Sequence, residues 1–395
     1  MRKITLFGVL GTLVVGCGGG DETPPAKTPE TTAVIAPTTT TTVETKKEEV
    51  VTTPKKSFTE QRDLVLKAFG DAVTSKDAKK ASAIMTDDVS FTMIGMPEGH
   101  GKADADKAHE MWFSSVGDIK AGFAQTFCSE KEATCAIHWA WTSTDSKGLY
   151  PGAKPTNKAI GGNILTYVWL NADGLVKKQV NYLNMISPLA QAGLVPPGTP
   201  ANMAASLKKM SQPVPTLPAS VENFVSSGSE TETKNIEVVK TRLAAFDNHK
   251  TADVLATNTD DLEHWGNDMD KPMKGKAEAK KIVDGLFAAF PDAKEPATTW
   301  LAAGDFVVTE EAFTGTQKKA FMGMPATNKS STMHSAWVYQ LKGGKIAKTW
   351  AFSNPMEGAP APAAPVDSKA MTPAAKADTK APAAKADAKT GPAKK

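Results

Sequence analysis

The side chains that could carry chemistry are few and spread along the sequence. The 395-residue chain holds six His and three Cys, and it shows no Gly-rich phosphate loop, no nucleophile elbow and no metal-ligand spacing. What remains are acid–base and hydrogen-bonding groups. His264 follows an Asp pair on a strand-like segment, His138 and Glu310 fall at matching places of two later segments, and His334 opens the strand after Glu310. An imidazole out of water can take a proton near neutral pH, and an equally simple role for a lone His on an apolar strand is structural. Glu310 reads as solvated, because charged side chains are seldom buried without a partner. Asn184 and Asn354 each close a strand, and an amide there can bond a ligand carbonyl or hydroxyl but cannot accept its proton. Tyr182, Trp265, Trp300, Trp337 and Trp350 would line a ligand cavity, the alternative for such aromatics being plain core, as for Trp112, Trp139, Trp141 and Trp169. The pattern calls for no cofactor and no metal.

The cysteines carry a different message. Cys128 and Cys135 are separated by Ser129 to Thr134, a spacing that suits two strands flanking a hairpin turn and allows a bridge in an oxidising compartment. Two reduced core thiols are the alternative. Cys17 ends a segment with Arg2 and Lys3 at its start and an apolar run from Ile4 to Val15, which is too short to span a bilayer. Val14-Val15-Gly16-Cys17 resembles the lipobox of bacterial lipoproteins. That resemblance implies a signal peptide over 1–16, a lipid on Cys17, and a protein held on a membrane outside the cytoplasm. Gly18 stands where an Asp would resemble an inner-membrane retention signal, so the outer membrane is expected in a Gram-negative envelope.

Hydrophobic residues make up 41% and charged residues 23%, a globular mix with room for a sizeable core. The net charge is +3, yet Arg2 and Lys3 supply two positives and the segment 358–395 holds seven Lys against three Asp, leaving the rest slightly acidic. Nucleic-acid binding is therefore not expected. Residues 17–56 are rich in Thr, Pro, Glu and Lys and read as a disordered tether, 195–229 as a Pro-rich linker with one short helix near Ala204 to Met210, and 357–395 as a disordered Ala/Lys/Pro tail. Two domains are left, 57–194 and 230–356.

These two domains echo one another. Thr86-Asp87-Asp88 matches Thr259-Asp260-Asp261, Gly101-Lys102-Ala103 matches Gly275-Lys276-Ala277, Thr156-Asn157-Lys158 matches Thr327-Asn328-Lys329, and Asn184 matches Asn354, all at a nearly constant offset. In each, apolar residues at helical spacing open the domain: Leu64, Val65, Ala68, Phe69 and Val73 in one, Val238, Val239, Leu243 and Phe246 in the other. Further helices and then alternating segments follow, with Asp173-Gly174 and Gly343-Gly344 as the last hairpin turns. The expected class is α+β, two tandem domains with helices first and a curved, mostly antiparallel sheet afterwards. On the last strands, Ile346, Trp350, Phe352 and Asn354 share parity, as do Val176, Val180, Tyr182 and Asn184, and so each set is expected on one face.

In the second domain, the Thr-Asp-Asp run before His264, Phe290-Pro291-Asp292, Ala303-Gly304-Asp305, Phe313-Thr314-Gly315-Thr316, Gly323-Met324-Pro325-Ala326-Thr327, and Gly344-Lys345-Ile346 before Trp350 follow in order. Through them it resembles the SnoaL-like polyketide cyclases of the nuclear transport factor 2-like superfamily, and the resemblance implies two tandem cone-shaped domains, each a sheet wrapped on its N-terminal helices. The resemblance implies a pocket inside the cone and, in the family's enzymes, a buried carboxylate or His acting as base. Asn184 and Asn354 stand where those enzymes often carry Asp, and His264 where members often have a pocket His. Three readings follow. The leading one is an envelope lipoprotein binding a small, largely apolar organic molecule. The second is a cyclase or isomerase using His264, and the third is a scaffold whose domains pair through their sheets as an internal pseudo-dimer.

Overall fold

The computed structural model describes residues 56–150, 152–195 and 201–357; the expected signal, the lipidated Cys17, nearly all of the tether and nearly all of the tail lie outside them. No helix among the described residues is long and apolar enough to cross a membrane. The first unit runs α1 (Phe58–Ser75), α2 (Ala78–Ser82), β1 (Met85–Met93), β2 (Gly99–His100), α3 (Lys102–Ser115), β3 (Ile119–Ser129), β4 (Thr134–Thr144), β5 (Ala159–Leu170), β6 (Val176–Leu183) and α4 (Ile186–Ala192). Next come α5 (Ala201–Lys209) and β7 (Glu222–Val225). The second unit runs α6 (Glu230–Asp247), α7 (Thr251–Ala256), β8 (Asn258–Gly266), β9 (Met273–Lys274), α8 (Lys276–Ala289), β10 (Ala297–Ala303), β11 (Phe306–Thr316), β12 (Ser330–Lys342) and β13 (Lys345–Ser353).

Both units are α+β, with helices preceding a mixed sheet. Strand order is β2-β1-β6-β5-β4-β3-β7 in one sheet and β10-β11-β12-β13-β8-β9 in the other. In each, the first strand returns parallel to the last, β1 on β6 and β8 on β13, while the remaining pairs within the unit are antiparallel. The same local devices recur. Ser57 with Glu60 and Ser229 with Glu232 form capping boxes that satisfy the first free N–H groups of α1 and α6. Gly101 and Gly275, both with φ of 79°, send the chain into α3 and α8, and each donates its N–H at 2.7 Å, to Val89 and Leu262 respectively. Lys102 pairs with Asp87 at 2.9 Å and Lys276 with Asp260 at 2.8 Å.

The stretch read as a linker does more than connect. Residues 222–225 add β7 parallel to the edge of β3, and Phe224 stacks on Phe127 with ring centroids 5.4 Å apart. The sulfurs of Cys128 and Cys135, directly opposite across β3 and β4, are 2.06 Å apart.

Each unit packs its helices against one face of its own sheet. Val65, Leu66, Val89, Ile137 and Val176 belong to the first such core, and Val239, Leu243, Leu262, Val307, Tyr339 and Ile346 to the second. The opposite faces of the two sheets meet each other. Phe127, Leu165, Tyr167, Val180 and Tyr182 from one sheet and Leu301, Phe306, Val308, Val338 and Phe352 from the other form a single buried cluster. Full burial of side chains such as Phe127 contributes roughly 1.5–3 kcal/mol each.

The shared parity expected on the last strands is broken by β-bulges. Register shifts occur near Ile346 in β13 and near Val176 in β6. An extra residue turns every later side chain to the other face. Ile346 and Val176 thus enter their own units' cores, whereas Trp350, Phe352, Val180 and Tyr182 turn outward onto the shared cluster.

Candidate functional site

On β11 alternation sends consecutive glutamates in opposite directions. Thr309 and Glu311 face the helices of the second unit, with Trp337 and Tyr339 of β12 beside them and Arg242 of α6 above. Glu311 is 1% exposed. Its Oε1 accepts from the Thr309 hydroxyl at 2.6 Å and from the Tyr339 hydroxyl at 2.8 Å, while its Oε2 has no partner among the described residues. Arg242 lies over the Trp337 ring at 5.6 Å and the Tyr339 ring at 5.7 Å. Its Nε and Nη1 are buried, and neither has a hydrogen-bond partner among the described residues. Glu295, also buried, is held through its backbone N–H, which donates to Asp247 at 2.8 Å.

This setting disfavours charge on the carboxyls. Burial raises Glu311 to about 7, against hydrogen bonds from Thr309 and Tyr339 and the Arg242 charge, which pull it down. Burial, and then the charge of Glu311, push Glu295 well above the carboxylate range. His264 closes the cluster from β8: its Nδ1 meets the Thr349 hydroxyl at 2.8 Å, and its ring stacks on Trp337 at 5.3 Å. Burial, and then the Arg242 charge, lower it to about 4, so the imidazole is neutral at pH 7 and a weak base. Two carboxyls, one guanidinium and a neutral His in one interior can hold a polar ligand group or pass a proton. They offer no ready set for a metal, and no group of three or more metal-ligating side chains occurs among the described residues.

Of the residues singled out from sequence, the structure brings His264 and Trp337 together here, with Trp300 packed against the same core. The others lie elsewhere. Trp265 alternates to the opposite face of β8, where its Nε1 donates to Glu263 at 2.8 Å, and Trp350 lies next to it against the shared cluster. Tyr182 crosses between the sheets and donates to Glu310 Oε1 at 2.8 Å. Glu310 is therefore buried, 6% exposed, and not solvated as its charge suggested; Thr299 donates to its other oxygen. The Asn184 amide donates to the carbonyls of Met210 and Asn267, both at 2.9 Å, and accepts from the N–H groups of Ile186 and Ser187. That of Asn354 donates to the Ile94 carbonyl at 2.9 Å and accepts from Met356. Both amides bridge the two units, Asn184 with all four of its hydrogen-bonding positions filled. His138 packs edge-on against Phe352 at the same junction, and His334 pairs at the surface with Glu357.

Arg242, Glu295 and Glu311 escaped the sequence reading although two of them left a trace. Arg242 lies four residues after Val238 and three after Val239, inside the apolar stripe of α6, and Glu310-Glu311 interrupts an apolar strand in which one of two neighbours must point inward.

The first unit's interior is of another kind. Trp139 donates to Thr166 at 2.9 Å, Thr166 and Gln179 donate to Asn181 at 2.9 and 3.0 Å, and Asn181 donates to the Thr92 carbonyl at 3.1 Å. That network contains no ionisable group. Two concavities of about 490 and 540 Å³ lie outside both interiors, one bordered by Thr241, Asn248 and Thr257, the other by Gln191, Lys208 and Asp270.

Comparison with known proteins agrees with the second unit's architecture. Residues 236–359, which make up most of the second unit, match the family model of SnoaL-like polyketide cyclases. Among solved structures, the chain is similar to a SnoaL-like polyketide cyclase from Agrobacterium tumefaciens C58, at 17% identity over 31% of this chain and 93% of that one, with a TM-score of 0.28. It is also similar to a ketosteroid isomerase-like protein from Catenulispora acidiphila in complex with trimethylamine, at 16% identity, covering 31% and 88% of the two chains, with a TM-score of 0.28. A third is a nuclear transport factor 2-like protein from Burkholderia pseudomallei, at 14% identity, 30% and 90% coverage and a TM-score of 0.27. No curated protein sequence matches the chain.

Proposed function

We propose that this chain is a lipid-anchored envelope protein whose second unit holds a small organic molecule in its interior. The observation that carries the reading is that three of the buried polar atoms without partners among the described residues, Arg242 Nε and Nη1 and Glu311 Oε2, belong to side chains that both contact Tyr339. Buried donors and acceptors are almost always satisfied, and each orphan costs about 1–3 kcal/mol, so three around one spot mark a place for a missing group. The first unit, with its uncharged network, serves as structural partner. The recurrent caps, glycines and ion pairs support a duplication, and the shared cluster supports an internal pseudo-dimer. The lipobox-like Val14 to Cys17 supports the anchor, and the Cys128–Cys135 contact fits an oxidising compartment.

The test is to purify the full chain in detergent, unfold it and search the released small molecules by mass spectrometry, in parallel with an Arg242→Met variant. An organic species present at near one per chain, and depleted in the variant, supports the reading. Equal recovery from both proteins would place the molecule outside this interior.

An enzymatic reading rests on one specific observation: a carboxyl near neutrality is a competent general base. Within this interior that group is Glu311, at about 7, and not His264, at about 4. Turnover lost in Glu311→Gln and kept in His264→Ala is the expected signature.

A further inference from the structure

We propose that Arg242 and Glu311 form a site for a small organic carboxylate, whose oxygens take the Arg242 Nε–H and Nη1–H groups and the Glu311 Oε2 position. This rests on the reading that the second unit's interior holds a ligand, and it assigns that ligand a chemical class.

The argument begins with charge. Arginine stays ionised at any accessible pH, and a guanidinium whose N–H groups are buried needs an anion or strong acceptors around them. The rings of Trp337 and Tyr339, 5.6 and 5.7 Å from its Cζ, meet only part of that need, because Nε and Nη1 still find no hydrogen-bond acceptor among the described residues. Neither Glu295 nor Glu311 completes an ion pair with it, since Nε and Nη1 are both without hydrogen-bond partners. A carboxylate of the ligand supplies acceptor oxygens and the missing negative charge together.

Glu311 then sets the proton count. Its Oε1 is already engaged by Thr309 and Tyr339, so a proton on this carboxyl belongs on the free Oε2, where it can be donated to the ligand. The charged and titratable groups around it are Arg242 and Asp247 from α6, Glu295 before β10, Tyr339 from β12 and, beyond Trp337, His264 from β8. His264 is neutral above about 4 and Tyr339 is held protonated by burial, so near neutrality the variable charge is that of the carboxyls. An arriving anion raises Glu311 further, and binding takes up a proton. Affinity for a carboxylate must therefore fall as pH rises above about 7.

The experiment titrates the full chain with benzoate, with its neutral isostere benzamide, and with sulfate, between pH 6 and 8.5, by calorimetry. Benzoate is expected to bind about tenfold more tightly than benzamide at pH 6, and to weaken by up to about tenfold per pH unit on the alkaline side. Arg242→Met should remove the preference for the anion. Glu311→Gln, which retains a donor at Oε2, should keep benzoate binding and flatten its pH dependence, so a variant that folds and binds still reports. Benzamide binding as tightly as benzoate in an Arg242-dependent way would overturn the carboxylate and leave the interior site in place. Sulfate binding as tightly as benzoate would overturn the organic assignment. No binding of any probe, with no small molecule released on unfolding, would remove both readings.

Discussion

Replacing Glu311 by Gln isolates the energetic cost of a carboxyl placed out of water. The native carboxyl titrates at about 7 against an ordinary 4.5. Between those values the native state holds a proton that the unfolded chain has already released. Stability contributed by this group is therefore complete below 4.5 and declines as pH rises, levelling off above about 7. At 1.36 kcal/mol per pKa unit the loss is about 3 kcal/mol, and because Glu311 is 1% exposed no solvent screening reduces it. Gln keeps the Oε1 acceptor for Thr309 and Tyr339 and cannot ionise. Urea unfolding of both proteins followed by circular dichroism from pH 4 to pH 8.5 should show their stability difference shifting by about 3 kcal/mol in favour of Gln at the alkaline end. Surface carboxylates such as Asp87 and Asp260, which are lowered by their Lys partners and act in the opposite sense, cancel in the comparison. A difference that stays level with pH, or one that moves toward wild type as pH rises, would refute the reasoning.

Other outcomes follow from features already described. Tyr182→Phe removes the 2.8 Å hydrogen bond to buried Glu310 and should destabilise the chain by about 1.5–3 kcal/mol in urea titration, with ligand binding in the second interior unchanged. Asn354→Ala, which breaks a bridge between the units, should lower the melting temperature and leave ligand affinity intact; a selective loss of binding would contradict its placement. Peptide mapping without reductant should recover Cys128 and Cys135 as one linked species, and reduction should cost about 2.5 kcal/mol by the loop-entropy relation. Cys17→Ser should move the protein from membrane to soluble fractions, and a variant that remains membrane-bound would remove the lipid-anchor reading.

The α+β plan and nearly every helix and hairpin were legible because they rest on local chemistry: apolar spacing in α1 and α6, Asp173-Gly174 and Gly343-Gly344 at turns. The direction of side chains late in β6 and β13 was not, because a bulge of one residue leaves no mark on composition and reverses the face of Tyr182 and Trp350. That reversal is why residues expected around a ligand lie at a junction between sheets. Pairing of β7 with β3 was hidden for a related reason: Phe224 finds its partners, Phe127 and Phe306, only once both sheets exist. The polar interior was half visible, since an Arg within an apolar helical stripe and a doubled Glu within an apolar strand are each out of place. What could not be read was that the two anomalies converge.

The cluster shared by the two sheets has an evolutionary consequence. When two identical subunits bury their sheets together, every substitution is made twice, and neither subunit can change its interior alone. Here Tyr182 and Glu310, or Phe127 and Phe306, are separate positions of one gene, so each side of the contact can drift while the other stays fixed. One half is thereby free to keep a hydrogen-bonded network without ionisable groups, devoted to support, while the other accumulates costly buried charges. A single chain can hold that asymmetry permanently, and selection can act on the chemistry of one half without disturbing the packing that both require.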